Sequence, residues 1–495
     1  MAATHTDSLS GKTVQEYIDE TPVWPDGTEV SGTPMTTMQW RIWTLATAGK
    51  FFEGMVVFMT GVALPLIVSE FGLSSAQKGV VAAAPLFGIL IGATALGGLA
   101  DHFGRKAMFI AEMLLFVLFL VGLTLSPNYY ALVAFLFGVG AALGCDYPTA
   151  HLVISESIPS KIRGRLVLSA FAFQAVGALV GTAVGYIILV NTPELSAWRW
   201  MYATAIIPAI LVVLGRFFIP DSGHWLVSRG RIKQAEHETA RLLKRTPPYP
   251  KNIKIRPPHH ATHADGKPVD PPARHYGTLF SRKNGKATIL ASVPWFLQDL
   301  STYGIGIFTP TILAHVIGKG TVDPGNIAGI IHNDMLAAKG AAFIDIFLLV
   351  GIIVAILLVD KVGRIRLQII GFIGCAIGLL IASLAVGQSD STGIGLIFIG
   401  FILFSFMTNM GPNAMTYLLA GEVYPTHIRG KGAGFAASVA KVGAVLTAFL
   451  FPILLNEIGT NILLYMLVGA SVLGALVTWL FAIETTGVNL EKIGH

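Results

Sequence analysis

Charge is what this sequence has least of. Only 13% of its 495 residues are Asp, Glu, Lys or Arg, about half the share of a soluble globular protein. That shortage excludes a soluble enzyme and a nucleic-acid-binding protein; the net charge of +6 is distributed in a way that argues for membrane topology instead. Cysteine is nearly absent. Cys145 and Cys375 both fall inside apolar segments, which excludes a disulfide scaffold and reads each as a small buried residue. A positively charged leader is also missing: residues 1–38 are polar and acid-leaning (Glu16, Asp19, Glu20, Asp26, Glu29), so no signal peptide is expected and the segment reads as a tail. What is present is apolar. Hydrophobic residues make up 53% of the chain and the mean hydropathy is +0.67. Val80–Ala100, Leu367–Gly387 and Ile462–Ile483 each contain no charged residue, and about 20 such residues cross a bilayer core as helix. The expectation is an all-α membrane protein.

Apolar runs set against charged breaks predict twelve spans, near 42–68, 79–100, 107–126, 130–155, 165–190, 199–219, 288–313, 336–359, 366–387, 393–419, 433–455 and 461–484. Residues 221–287 are rich in Pro, His, Lys and Arg and separate six spans from six. They read as a linker with a short helix around Ile232–Leu243. The expected division is a tail (1–38), a first bundle (39–220), the linker (221–287), a second bundle (288–485) and a short tail (486–495). Cations collect in alternate loops: Arg105 and Lys106; Lys161, Arg163 and Arg165; Lys361, Arg364 and Arg366; Arg429 and Lys431. The loops between them, such as Ser126–Tyr129, have almost none. By the positive-inside rule both termini and the linker are cytoplasmic.

The halves repeat each other. Asp101-His-Phe-Gly-Arg105-Lys106 after the second span is echoed by Asp360-Lys-Val-Gly-Arg364-Ile-Arg366 after the eighth. Glu156, followed seven residues later by Arg163-Gly164, is echoed by Glu422 and Arg429-Gly430. Parallel repeats about an axis along the membrane normal, with substrate held between them, are one transporter architecture. With these landmarks in order, the chain resembles the major facilitator superfamily over residues 40–490. Asp101–Lys106 is similar to that family's cytoplasmic signature; Pro220-Asp-Ser-Gly-His-Trp225-Leu226 and Glu484-Thr-Thr-Gly resemble its sugar-porter-like branch. The resemblance implies two pseudo-symmetric six-helix halves and alternating access.

Charges inside a span are costly, about 2.5–3.5 kcal/mol each on insertion scales, so those that persist call for a partner, water or a function. Glu53, Glu112, Asp146, Asp299, Asp345 and Lys441 are such residues. Asp146 and Tyr147 precede Pro148, where a helix can bend. Trp295, Asp299 and Tyr303 are spaced i, i+4, i+8 and share one helical face. Gln174, and Asn413 within Gly411-Pro412-Asn413, add amides, and Lys441 adds a cation in an Ala- and Gly-rich helix. An anion with several oxygens suits these donors, and Asp299 suits an anion that still carries a proton, or takes up a co-transported one. On their own the aromatics also read as packing, the amides as helix-to-helix bonds, and Asp299 with Lys441 as a structural ion pair.

Gly144–Pro148 with Ser155-Glu156, Trp295-Phe-Leu-Gln-Asp299-Leu-Ser-Thr-Tyr303, Gly411-Pro-Asn413 and Lys441-Val-Gly443-Ala444 resemble the phosphate:proton symporter branch of the superfamily. That resemblance implies that Tyr147, Gln174, Trp295, Asp299, Tyr303, Asn413 and Lys441 ligate inorganic phosphate, with Lys441 pairing Asp299 in the empty site. It also implies that Glu53, Glu112, Asp146 and Asp299 carry protons. The second acid usual in the branch's first span is Val56 here, which leaves open a sister carrier for an aromatic or other organic acid, or a sugar. Asp101, Arg105, Glu156, Arg163, Asp360, Arg364, Glu422 and Arg429 lie at the ends of spans and are expected to form ion pairs that latch the halves at the cytoplasmic side, or simply to anchor topology. The linker's His259, His260, His263 and Asp265 have metal-ligand character but no fixed frame, and no metal or cofactor is expected; Ser10-Gly11-Lys12-Thr13 lacks the first glycine of a P-loop. The sequence therefore reads as a monomeric proton-coupled phosphate importer of the plasma membrane, not an enzyme, partnered by its solute, protons and the lipid bilayer. A sister carrier, or a transporter-like sensor that binds without flux, is the alternative.

Overall fold

A computed structural model of the chain describes residues 11–23, 28, 33–96, 99–245, 252–256, 276–317, 327–385, 391–425 and 428–486. The linker histidines and the end of the C-terminal tail lie outside them. Twelve long helical segments follow in order: α1 (Thr37–Phe71), α2 (Ser75–Thr94), α3 (Arg105–Thr124), α4 (Tyr129–Ser157), α5 (Ser160–Asn191), α6 (Ala197–Phe217), α7 (Gly285–Ile317), α8 (Ile327–Val362), α9 (Arg364–Leu384), α10 (Ser391–Met410 and Pro412–Glu422), α11 (Arg429–Glu457) and α12 (Gly459–Leu480). Eleven of them are long and apolar enough to cross a membrane; α7, at 33 residues, holds the remaining place in the alternation.

Local chemistry sets the ends. Thr36 and Ser74 start α1 and α2 with capping boxes to Gln39 and Gln77, each satisfying two otherwise orphaned amides. Gly104 and Gly363, the glycines of the repeated signature, have φ of 106° and 96° just before α3 and α9. Only glycine takes such a turn without strain, so the repeated motif marks the same tight turn twice. In α10, Gly411-Pro412 breaks the helix: Pro412 starts the second segment, where its missing N–H costs nothing.

Packing repeats with the sequence. α1 lies on α5 as α7 lies on α11, α2 on α4 as α8 on α10, and α3 on α6 as α9 on α12. Contacts between halves run along α2–α11, α5–α8 and α1–α7. We call the end carrying Arg105, Arg163, Arg364 and Arg429 the basic end, and the opposite one the far end. At the far end the backbones of α1 and α7 touch: a Cβ on Gly61 would lie 2.3 Å from the Ile307 carbonyl oxygen. Small residues let membrane helices approach this closely. Gly61→Val should therefore wedge the far end open, raising thiol-reagent labelling of cysteines placed beside it and lowering transport at least about tenfold, because rigid backbone cannot yield to the new side chain. Unchanged labelling and transport would show that the contact is not obligatory.

The N-terminal segment is more than a polar tail. Thr13 and Glu16 form a capping box for helix Val14–Asp19, and Val14, Tyr17 and Ile18 are buried with Trp225, Leu226, Ala235 and Leu242 of the linker helices Gly223–Ser228 and Ile232–Leu242. Asp19 accepts from the Ser160 amide at 2.6 Å and its hydroxyl at 2.7 Å, capping α5. Composition shows this segment's polarity; its apolar stripe is too short to reveal docking.

Candidate functional site

The centre of the molecule is a charge network drawn from both halves. α1 contributes Lys50 and Glu53, α5 contributes Gln174, α7 contributes Asp299 and Tyr303, and α11 contributes Lys441. Lys50 donates to Glu53 Oε2. Lys441 Nζ reaches Asp299 Oδ2 at 3.2 Å, Glu53 Oε1 at 3.5 Å and the Tyr303 hydroxyl at 2.8 Å. Tyr303 in turn donates to Glu53 Oε1 at 3.1 Å, and Gln174 Nε2 donates to both Glu53 (3.2 Å) and Tyr303 (3.0 Å). Glu53 thus joins the central site, where it links the halves. Two ammonium groups face two carboxylates, and Asp299 is only 2% exposed. Such charges survive burial because each is paired and hydrogen-bonded.

Aromatic rings close the basic-end side of this network. The Phe171 and Tyr417 rings stack at 4.6 Å and 17°, joining α5 to α10 across the halves; Trp295 meets Tyr417 edge-on at 6.2 Å. Lys50 Nζ lies 5.5 Å from the Phe171 ring centre and Lys441 Nζ 4.5 Å from that of Tyr303. Asn413, just past the Gly411 break, lines the same cavity as Gln174, Trp295, Asp299, Tyr303 and Lys441 and donates to Asn409 at 2.6 Å. The cavity has about 30 Å³ of room for water in this closed state, space for about two waters.

Glu112 and Asp146 form a second cluster, outside the central network. Arg216 of α6 turns inward to Asp146 and to the Phe109 carbonyl, stacks 3.4 Å over the Phe109 ring, and is fully buried. Glu112 Oε1 accepts from Thr149 at 2.7 Å and Cys145 at 3.2 Å, while Oε2 is buried without a partner. A small cavity lined by Lys50, Glu53, Asp146 and His151 lies between the two clusters. The side chains of Tyr147 and Asp101 are outside the described residues.

At the basic end the paired motifs build the same device twice. Arg105 bonds Glu156 at 3.1 Å, which also takes the Ser222 hydroxyl; Arg364 bonds Glu422 at 3.3 Å, which also takes the Thr485 hydroxyl. Asp221 accepts the first-turn amide of Lys106 in α3, and Glu484 those of Arg364 and Ile365 in α9. Burial alone would raise the Glu484 carboxyl; the Thr486 hydroxyl and the amides of Arg364, Thr486 and Ile365 outweigh it and hold it below the usual range. Arg163 donates to the Ile158 carbonyl and Arg429 to that of Tyr424, at equivalent positions. Each of these ion pairs joins helices of one half, so in this state they do not latch one half to the other. Between halves at this end, exposed Arg165 and Asp360 approach to 3.7 Å, and Asp360 also pairs with Arg364 at 3.1 Å.

Sequence reasoning missed Lys50 and Arg216 and took Lys441 as the lone buried cation. Lys50 carried a signal, its i, i+3 spacing to Glu53 inside a span. Arg216 carried none: at a span end an arginine is expected to snorkel, and only the facing carboxylate on α4 turns it inward.

The "Sugar (and other) transporter" family profile matches residues 34–495. The inner membrane metabolite transport protein YgcS of Escherichia coli is 28% identical over 464 residues, covering 93% of this chain and 95% of YgcS. The niacin transporter NiaP of Acinetobacter baylyi is 28% identical over 469 residues, covering 94% and 98%. The solved structure of the major facilitator superfamily proton:xylose symporter XylE, from E. coli, matches with a TM-score of 0.69 at 19% identity, covering 92% of this chain and 98% of that one.

Proposed function

This chain belongs to the sugar (and other) transporter family, a family of carriers rather than enzymes, and on that premise we propose that it is a proton-coupled symporter for a small organic anion. The observation that carries the reading is the pair of buried ammonium groups, Lys50 and Lys441, both held on Glu53, with Asp299 as the second carboxylate. A neutral sugar needs hydroxyl-matching partners, not two buried cations. An anion needs a cation released from its carboxylate. If the anion takes Lys441 and Asp299 takes a proton, the site's net charge stays at zero before and after loading. Desolvated charge is what makes rocking costly, so one proton per substrate charge is the expected coupling. The Phe171–Tyr417 stack and Trp295 add flat apolar walls beside the cations, which suits a carboxylate on an aromatic or compact apolar body. The positive-inside bias supports a basic end that faces the cytoplasm from a cell's inner membrane, with Arg165 parting from Asp360 on inward opening.

Inorganic phosphate is the second reading, favoured by the Trp295, Asp299 and Tyr303 face and by the number of donors around it. The family description and the relatives named above do not single it out. Proteoliposomes with an inward proton gradient separate the readings. Labelled nicotinate or benzoate should accumulate, and Asp299→Asn should remove at least about 90% of the gradient-driven part while leaving gradient-independent exchange. Accumulation blocked by excess phosphate and not by benzoate would install phosphate; uptake of glucose or xylose indifferent to the gradient would install a sugar facilitator. Binding without flux would make the protein a sensor.

A further inference from the structure

Asp345 is an acid inside a span that the central site does not use. It sits on α8 at 5% exposure, among buried Ala341, Ile344 and Leu348 of its own helix. Its Oδ2 lies 2.9 Å from Thr182 Oγ1 of α5. α5 belongs to the first half and α8 to the second, so this contact crosses the seam. Among the described residues no cation comes within salt-bridge distance of it.

Tyr186 apart, the titratable groups of the helices packed on α8 lie at span ends or have other partners. Glu70 of α1 pairs with Arg199, Cys375 of α9 lies against the Phe404 carbonyl, and Arg41 of α1 and Lys286 of α7 are near the starts of their helices. Lys50 and Glu53 of α1 and Asp299 and Tyr303 of α7 are in the central network. Arg364 and Arg366 of α9, Glu422 of α10 and Lys161, Arg163 and Arg165 of α5 are at the basic end; Tyr417 of α10 stacks on Phe171. Tyr186 lies one turn along α5 from Thr182. On α8 itself Asp334 is eleven residues away, about 16 Å along the axis, Lys339 is on the exposed side, and His332, Asp360 and Lys361 are farther still.

Counting protons decides the state of this pair. Thr182 Oγ1 also lies 3.1 Å from the carbonyls of Ala178 and Leu179, yet a threonine hydroxyl has one proton to give. An ionised Asp345 would take that proton and would still be a buried charge with a single neutral donor. A neutral Asp345 donates its own O–H to Thr182, whose proton then goes to the Ala178 carbonyl one turn back. The second arrangement satisfies the hydroxyl and leaves no unpaired charge in an apolar seam.

We propose that Asp345 is a proton-binding site of the seam between the halves, protonated while α5 and α8 are packed and releasing its proton to water when the far end opens. The far end is closed here, with Gly61 against Ile307 and Gly79 against Phe449. Admitting a solute from that side parts these contacts and wets Asp345, whose charged form water can then solvate. Reclosure returns the proton. Acid on the far side therefore favours the closed far end, with substrate or without. Because the proton leaves and returns on the same side, the site sets the gate's pH response and does not itself drive uphill uptake. The proposal rests on the carrier reading for the rocking of the halves only, not for any substrate.

The test uses full-length protein in liposomes without substrate, spin-labelled at Glu194→Cys and Glu457→Cys, exposed far-end positions on opposite halves. Distances between the labels are measured from pH 5 to pH 8. The open-to-closed ratio should rise with pH, and Asp345→Asn, which keeps a donor to Thr182 and cannot titrate, should lose one proton's worth of slope, up to about tenfold per pH unit. Thr182→Val removes the acceptor and should raise the open fraction several-fold at a given pH. A slope in Asp345→Asn equal to that of the parent, or an unchanged ratio in Thr182→Val, overturns the proposal. Labels that move at no pH and with no added carboxylate or phosphate would sink the rocking itself, and the carrier reading with it.

Discussion

Lys441→Met should lower uptake at least about a hundredfold while leaving the protein in the membrane. The lysine touches both carboxylates of the site and the Tyr303 hydroxyl at once. Methionine keeps much of its length and its apolar stem, so the charge is removed with little change in volume. What remains is Asp299 with no cation within salt-bridge distance among the described residues, and Glu53 with Lys50 as its cation beside the Gln174 and Tyr303 donors. Removing one partner of a buried pair typically costs about 3–5 kcal/mol, because it strands the other charge. The binding cation is lost in the same step. Adding Asp299→Asn relieves the stranded carboxylate, so the double variant should recover thermal stability without recovering uptake. Recovery of uptake in the double variant would make the pair a structural clasp and move the anion site elsewhere.

The largest effect on stability is expected at Arg216. Its guanidinium is fully buried, bonded to Asp146 and the Phe109 carbonyl, and stacked on the Phe109 ring. Arg216→Met should cost about 3–5 kcal/mol by the same argument, seen as a large drop in the apparent melting midpoint of purified protein. Arg216→Met with Asp146→Leu removes both charges together. Replacing a whole buried pair with apolar residues is often neutral, so most of the stability should return. A double variant as unstable as the single one would show that Arg216 acts through the carbonyl and ring, not through the carboxylate. Transport separates the roles further: if Asp146 also carries a proton, the stable double variant stays uncoupled.

Much of the fold was legible in one dimension. The twelve segments follow from the length of apolar runs, which the bilayer's thickness dictates; the linker and its helix near Ile232 are polar and rest on composition instead. The duplication followed from repeated spacing, and the structure gives it meaning: Asp221 and Glu484 cap α3 and α9 in the same way, and Ser222 and Thr485 hold Glu156 and Glu422. Within the site, Asp299 and Tyr303 came from helical spacing, and Lys441 from the rarity of a cation in so apolar a helix. Docking of the N-terminal helix was not legible, because three apolar residues in a polar segment match any loop.

By itself, then, the sequence determined which segments form the long apolar helices, which end is basic, that the halves repeat, and which helices carry costly polar groups. These are properties of one segment at a time, set by transfer free energy and helical period. Only the tertiary structure decided partners. Which way Arg216 turns, whether Lys50 and Lys441 meet on one carboxylate, whether the basic-end pairs lie within or between halves, and that Asp345 faces Thr182 all depend on how each helix is rotated about its own axis. Packing against several neighbours sets that rotation, and no single segment encodes it.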